Sequence, residues 1–112
     1  MDCIFCSISK KEVSADVVFE NDEIIAFKDI APQAPVHILV LPKKHIAKIS
    51  DLSDDDAMLI GNIVNRARIL AKKQGISDSG FRLVFNCGDE GGQVVDHIHL
   101  HLIGGKKLGE IG

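Results

Sequence analysis

Tryptophan and tyrosine are missing from the 112-residue chain, which leaves five phenylalanines to provide aromatic surface. Proteins that bind single-stranded nucleic acid stack the bases on aromatic side chains. The net charge of −3 provides no broad basic surface either. We therefore expect no polynucleotide partner.

Long hydrophobic runs are also missing, so we expect neither a membrane-spanning segment nor a signal peptide. Three cysteines in a chain without an export signal argue against a disulfide framework, and their odd number strengthens this view. These features favour a cytoplasmic protein with no membrane partner. The length and the 46% hydrophobic content fit a single domain over residues 1–112.

The most informative stretch is His97–Ile103, where histidine and aliphatic residues alternate. A period of two is typical of a β-strand with two different faces, which would put His97, His99 and His101 on one face. Three interpretations remain open from these residues. The histidines could be satisfied structural residues, ligands of a tri-histidine zinc site, or free imidazoles that act as nucleophile and acid or base.

The segment Asn86–Gln93 precedes this strand and contains three glycines. Glycine lets backbone N–H groups approach an anion closely, so the segment could cradle a phosphate. A plain hairpin turn is the alternative.

The remaining pattern predicts an α+β domain of five mainly antiparallel strands and one long helix. A capping-box-like start at Ser53 and Asp56, an apolar stripe from Ile60 to Ala71 and a stop at Gly75 define the helix. Besides the histidine strand, the predicted strands are Val17–Glu20, Ile24–Phe27, Val36–Leu41 and Phe81–Phe85.

Cys3 and Cys6 are separated by two residues, a spacing that lets two thiolates bind one tetrahedral metal ion. Two buried thiols or a redox pair are the alternatives for this half site.

Two long motifs, Phe27–His45 and Gly91–Leu102, resemble the signatures of the histidine triad (HIT) family, in particular its Hint branch. The similarity extends over almost the whole chain. It implies the HIT fold, with a short N-terminal helix and a homodimer in which two sheets form one continuous ten-stranded sheet.

The resemblance also implies an enzyme of the adenosine 5′-monophosphoramidase type. Such a hydrolase or nucleotidyl transferase acts at the α-phosphate of purine nucleoside 5′-phosphoramidates, or of aminoacyl and lysyl adenylates, through a nucleotidyl-histidine intermediate. Three alternatives stay open. They are a dinucleoside polyphosphate hydrolase, a non-catalytic nucleotide-binding or scaffold protein, and the tri-histidine zinc hydrolase.

Site residues follow from the same resemblance. The catalytic residues would be His99 as nucleophile, with His101 and His37. Structural zinc would bind Cys3, Cys6, His45 and His97, and no organic cofactor is expected. The nucleotide would contact Ile4, Phe5, Ile8, Phe27, Asp29, Ile30, Leu39, Asn86, Gly92, Gln93, Val94, His99 and His101.

Val94 departs from the Hint pattern, which usually has serine or threonine at this position. A valine side chain cannot donate a hydrogen bond to a leaving group. We therefore expect a weakened or shifted leaving-group preference.

Overall fold

A computed structural model describes residues 3–111. Within this range the chain forms two α-helices and five strands, with short 3₁₀ turns at Ile49–Asp51 and Asp54–Asp56. In chain order the elements are α1 (Ile4–Ser9), β1 (Val17–Glu20), β2 (Ile24–Lys28), β3 (Val36–Pro42), α2 (Ala57–Lys73), β4 (Phe81–Phe85) and β5 (Leu100–Gly104).

The strands form one antiparallel sheet in the order β1-β2-β3-β5-β4. The predicted α+β class and the HIT-like arrangement of one long and one short helix are confirmed.

Alternation along β2 and β3 divides the apolar residues between the two faces of the sheet. Ile24 and Ala26 pack with Ile63 and Ala67 of α2 in the larger core. Ile25 and Phe27 belong to a second core on the other face, together with Phe5 and Ile8 of α1. Helix α1 has only six residues, and Phe5 and Ile8 are its buried side chains.

Helix α2 begins after the predicted capping box. The backbone amide of Ser53 donates to the Asp56 carboxylate at 3.0 Å. This hydrogen bond and the Lys44 ammonium hold the pKa of Asp56 below its ordinary value. The first turn, Asp54–Asp56, is a 3₁₀ turn, so the α-helix itself begins at Ala57.

Strand β5 begins at Leu100, three residues later than the histidine alternation predicts. The amide of His97 closes a turn onto the carbonyl of Val95 at 2.8 Å, and the amide of Ile98 bonds to Ile46 outside the ladder. His97 and His99 therefore lie on the segment that leads into the strand, and His101 lies within it.

Candidate active site

Strand register places two histidines side by side on the face opposite α2. His37 of β3 pairs with Ile103 of β5, and Leu39 pairs with His101. Residues two apart on a strand share a face, so His37 and His101 are diagonal neighbours on adjacent strands. Nε2 of His37 lies 2.9 Å from Nδ1 of His101.

His37 is held by contacts at both of its ring nitrogens. Nδ1 accepts a hydrogen bond from the backbone amide of Gln33 at 3.0 Å. Nε2 also lies 3.3 Å from a carboxylate oxygen of Asp29. Burial lowers the pKa of the His37 imidazole, and the Asp29 carboxylate partly offsets this effect. Burial, together with repulsion from His99 and His37, lowers the pKa of His101 to about 4.

His99 lies beside this pair, and its ring centre is 4.9 Å from that of His101. Nδ1 of His99 donates to the backbone carbonyl of His97 at 2.7 Å. Because a carbonyl oxygen can only accept, the neutral His99 ring carries its proton on Nδ1 and its lone pair on Nε2. Across residues 3–111, Nε2 of His99 has no hydrogen-bond partner, and it is not a fully enclosed atom.

The Phe5 and His99 rings lie nearly perpendicular to each other, with ring centres 5.0 Å apart. Phe5 also contacts Phe27 edge to face at 5.5 Å. An aromatic wall from α1 therefore closes one side of the histidine group.

The three histidines, Asp29 and Phe5 line a cavity of about 690 Å³. Of the residues expected at the active site, the ones that line it are Phe5, Asp29, Ile30, His37, Leu39, Asn86, Val94, His99 and His101. Four expected contacts lie elsewhere. Ile8 and Phe27 are buried in the core below the cavity, whereas Ile4 and Gly92 do not line it.

Gln93 is the fifth expected contact that does not line the cavity. Its amide nitrogen donates to the carbonyls of Ala47 and Val95, and its amide oxygen accepts from the backbone of Gly88. The Gly92 and Gln93 backbone amides donate to Asp89 and Gly88 within the turn. The glycine segment is therefore a braced turn in which these two amides are already used.

The cavity also has lining residues that the sequence pattern did not reveal. Arg82 pairs with Ile103 and Val84 pairs with His101, so both face the same side as the histidines. Alternation along β4 could have indicated this, but only once its register with β5 was known. The further unpredicted lining residues are Ala31, Gln33, Val95, Ile103, Lys106, Leu108 and Gly109.

A second cluster brings together Cys3, Cys6, His45 and His97, whose donor atoms all lie within 4.8 Å of one another. His97 is fully buried, and its Nε2 donates to the carbonyl of Pro42 at 2.7 Å. Nδ1 of His97 therefore has its lone pair directed at the cluster. His97 thus belongs to a different group from His99 and His101.

The geometry of this cluster fits a tetrahedral metal ion. Nδ1 of His97 lies 3.4 Å from Sγ of Cys3, 3.6 Å from Sγ of Cys6 and 3.2 Å from Nδ1 of His45. Donors on a tetrahedral zinc ion with ordinary bond lengths are separated by about 3.3 to 3.8 Å. These four residues can therefore hold a metal ion.

Asp29, His37 and His101 form another group of donor atoms within 4.8 Å of one another. Across the described chain, His99 belongs to neither group. Among residues 3–111, the donor atoms of His97, His99 and His101 do not form a group within 4.8 Å of one another, because His97 lies with the cysteines and His101 with Asp29 and His37. The tri-histidine metal site is therefore wrong.

The sequence and the fold have clear counterparts among known proteins. Residues 2–111 match the family model described as "Scavenger mRNA decapping enzyme C-term binding". The chain is 41% identical to the purine nucleoside phosphoramidase of Escherichia coli, over 96% of this chain and 91% of that protein.

Solved structures agree with this result. A HIT family hydrolase from Legionella pneumophila is 56% identical, with a TM-score of 0.93 and 95% of each chain covered. A zinc-bound histidine triad family protein from Mycobacterium smegmatis is 29% identical, with a TM-score of 0.80, over 92% of this chain and 74% of that one.

The similarity in sequence and fold places the chain in a class of proteins that includes a HIT family hydrolase and a purine nucleoside phosphoramidase. The chain belongs to the histidine triad family.

Proposed function

We propose that this protein is a HIT-family hydrolase of the adenosine 5′-monophosphoramidase type. Its substrates would be purine nucleoside 5′-phosphoramidates or aminoacyl and lysyl adenylates, cleaved at the α-phosphate. The observation that carries the proposal is the hydrogen bond from Nδ1 of His99 to the His97 carbonyl. It leaves the Nε2 lone pair of His99 available at a cavity that also holds His37 and His101.

With a phosphoramidate, the lone pair on Nε2 of His99 first forms a bond to the α-phosphorus, and the bond from phosphorus to the leaving nitrogen breaks. The leaving amine takes up a proton that His101 or His37 would supply. With an acyl adenylate, the bond from phosphorus to the carboxylate oxygen breaks instead, and the carboxylate leaves without a proton. In the second step, water attacks phosphorus and gives up a proton to the same imidazole, the bond to His99 breaks, and the nucleoside monophosphate leaves. A covalent intermediate of this kind replaces one difficult displacement by two easier ones.

The other cavity residues have roles in binding and proton transfer. His101 and His37 would contact the phosphate oxygens or move the proton, because the His101 ring lies next to His99 and the His37 ring lies next to His101. Phe5 and Leu39 would enclose the base, and Asp29 would accept hydrogen bonds from the ribose hydroxyls. Asn86 holds the glycine turn through the Gly91 carbonyl and lies at the cavity wall.

The Cys3, Cys6, His45 and His97 group would hold a structural zinc ion. The donor distances fit tetrahedral coordination, and a relative of this fold is a zinc-bound protein. When bound, zinc supplies cross-linking and takes no part in the reaction. Cys3 is the N-cap of α1, so coordination would fix this helix and the Phe5 side chain that it carries.

We further propose one domain that assembles as a homodimer. Strand β4 is an outer strand of the sheet, and its five residues are only partly buried in the single chain. A second copy joined at this edge would give ten continuous strands and cover the exposed backbone groups. Molar mass from light scattering tests this assembly.

We also place the protein in the cytoplasm, because all three cysteines are free thiols. In the described part of the chain, no helix has the length and apolar character that crossing a membrane requires.

The test is to mix the protein with a fluorogenic adenosine phosphoramidate, then quench and digest it. We expect turnover by the wild type and the mass of one nucleoside monophosphate added to the peptide that contains His99. His99→Ala should lose both signals. No turnover by the wild type, or equal turnover by both proteins, would refute the proposed enzyme.

A further inference from the structure

The backbone amide of Gln33 determines which ring nitrogen of His37 carries the proton. This amide donates to Nδ1 of His37 at 3.0 Å. An N–H group can only donate, so Nδ1 of His37 must carry a lone pair. The neutral His37 ring therefore has its proton on Nε2.

The proton on Nε2 of His37 in turn decides which nitrogen of the His101 ring is protonated. Nε2 of His37 faces Nδ1 of His101 at 2.9 Å and Oδ2 of Asp29 at 3.3 Å, and both of these atoms can accept. Because Nδ1 of His101 accepts, the neutral His101 ring carries its proton on Nε2. Within residues 3–111 this nitrogen has no hydrogen-bond partner and is not fully enclosed, and His101 lines the cavity. The hydrogen bonds thus all run in one direction, from the Gln33 amide to a donor at the cavity.

The same hydrogen bond bears on metal binding. Asp29, His37 and His101 are a set of two histidines and one carboxylate, which commonly binds divalent transition metals. A metal ligand must offer a lone pair, but Nε2 of His37 carries a proton while the Gln33 amide occupies Nδ1. Binding a metal there would require a doubly deprotonated ring or the loss of the amide hydrogen bond.

We infer that the Gln33 amide is a positioning group that holds His37 in the Nε2-protonated form. It thereby directs the His101 N–H towards the substrate phosphate and keeps metal ions off the group of Asp29, His37 and His101. Only the role of the His101 N–H towards the substrate phosphate rests on the proposed function. The tautomer of His37 and the exclusion of metal ions are properties of the protein without substrate.

The first experiment uses the wild-type protein labelled with ¹⁵N. We expect ¹⁵N–¹H correlation spectra to show His37 protonated on Nε2. A through-hydrogen-bond coupling should join the Gln33 amide nitrogen to Nδ1 of His37. Two results in the wild-type protein would overturn the inference. They are a His37 ring protonated on Nδ1, and the absence of this coupling in the folded protein.

The second experiment compares Gln33→Pro, which removes the amide hydrogen, with Gln33→Ala, which keeps it. The Gln33 side chain is exposed but lines the cavity, so the alanine variant is the control that keeps the amide hydrogen and loses the same side chain, and kcat of Gln33→Pro is compared with that of Gln33→Ala. We expect the Nδ1-protonated form of His37 to become populated in Gln33→Pro alone, with a fall in kcat on the order of tenfold. A wild-type tautomer in folded Gln33→Pro would show that the amide does not control it. Absence of turnover in the wild type would refute the proposed function and leave the tautomer result intact.

The third experiment is a titration with Co²⁺, in which thiolate ligands give a charge-transfer band. Wild type and Gln33→Ala should bind one equivalent, with the band, at the cysteine group. Gln33→Pro should bind a second equivalent that adds no thiolate band and disappears on adding Asp29→Asn. A second equivalent bound by the wild type in the Asp29 group would contradict the exclusion of metal.

Discussion

Two groups of histidines lie next to each other in this molecule, and they differ in which ring nitrogens remain free of protein contacts. In the cysteine group, the Nδ1 atoms of His45 and His97 and the two thiols face one another. In the cavity group, the His99 and His101 rings each use Nδ1 for a protein contact, and Nε2 stays open to the cavity. The first group has the geometry to hold an ion, and the second leaves ring nitrogens open to the cavity, as the proposed function requires.

The difference arises from the partner of the second ring nitrogen. His97 donates from Nε2 to the Pro42 carbonyl, which leaves a lone pair among the thiols. His37 accepts at Nδ1 from the Gln33 amide, which leaves a proton on the side of the carboxylate. A main-chain donor or acceptor therefore decides whether a histidine is suited to be a metal ligand or a proton donor.

Phe5 connects the two groups mechanically. Its ring centre is 6.0 Å from that of His97 and 5.0 Å from that of His99. Because α1 also carries Cys3 at its N-cap and Cys6 within it, an ion in the first group would steady a wall of the second.

The largest contrast should come from removing one imidazole of each group. We expect His101→Ala to lower kcat for a phosphoramidate on the order of a hundredfold or more and to leave metal content unchanged. His45→Ala should abolish tight metal binding and keep turnover within about tenfold, since His45 is exposed and outside the cavity lining. Steady-state kinetics and metal analysis on the same samples measure both. Equal loss of turnover in the two variants would mean that the groups do not have separate roles.

The double variant Cys3→Ser with Cys6→Ser tests the mechanical connection. Loss of the ion should lower the free energy of unfolding by about 2 to 4 kcal/mol at micromolar zinc, because an ion that binds only the folded chain stabilises it. It should also raise KM more than it lowers kcat, because Phe5 is part of the cavity wall. Urea unfolding with and without zinc gives the first quantity. The wild type stripped of metal is the control, and it should match the double variant.

Acidification should affect the cavity group in a defined pH window. Burial, followed by repulsion from His99 and His37, lowers the pKa of His101 from 6.5 to about 4. The unfolded chain therefore becomes protonated at His101 at a higher pH than the folded protein does. As a result, the free energy of unfolding decreases as the pH falls from about 6.5 towards 4.

Chemical-shift titration of His101 and urea midpoints at several pH values test this expectation. The slope of stability against pH should be shallower in His101→Ala. A His101 midpoint near 6.5 would show that the ring is not desolvated in the way that its surroundings imply.

The smallest effect is expected at the rim of the cavity. Val94 is 91% exposed and lines the cavity, so Val94→Ser should fold normally and keep its metal content. A hydroxyl there can donate to a leaving group, so the ratio of rates on a phosphoramidate and a dinucleoside polyphosphate should change by a few fold, or about 1 kcal/mol. Unchanged rates on both substrates would show that Val94 has no influence on the leaving group.

Local pattern predicted the strands and the long helix because alternation and helical periodicity depend on neighbouring residues alone. Val17–Glu20 and Phe81–Phe85 are strands with the predicted bounds, and the Ser53–Asp56 capping box is present. The histidine strand was extended too far, because hydrogen bonds of the Val95 and Ile46 carbonyls with His97 and Ile98 cannot be inferred from an alternating sequence.

The sequence by itself determined the two-faced sheet, the histidines at its centre and, through its likeness to the HIT family, which residues gather in each group. Only the tertiary structure decided how the ring nitrogens are used. The Pro42 carbonyl and the Gln33 amide reach His97 and His37 only once the chain has folded. Arg82 likewise reaches the cavity only through the register of β4 with β5. Hydrogen bonds of the main chain depend on where the backbone lies in space, and side-chain identity does not reveal them.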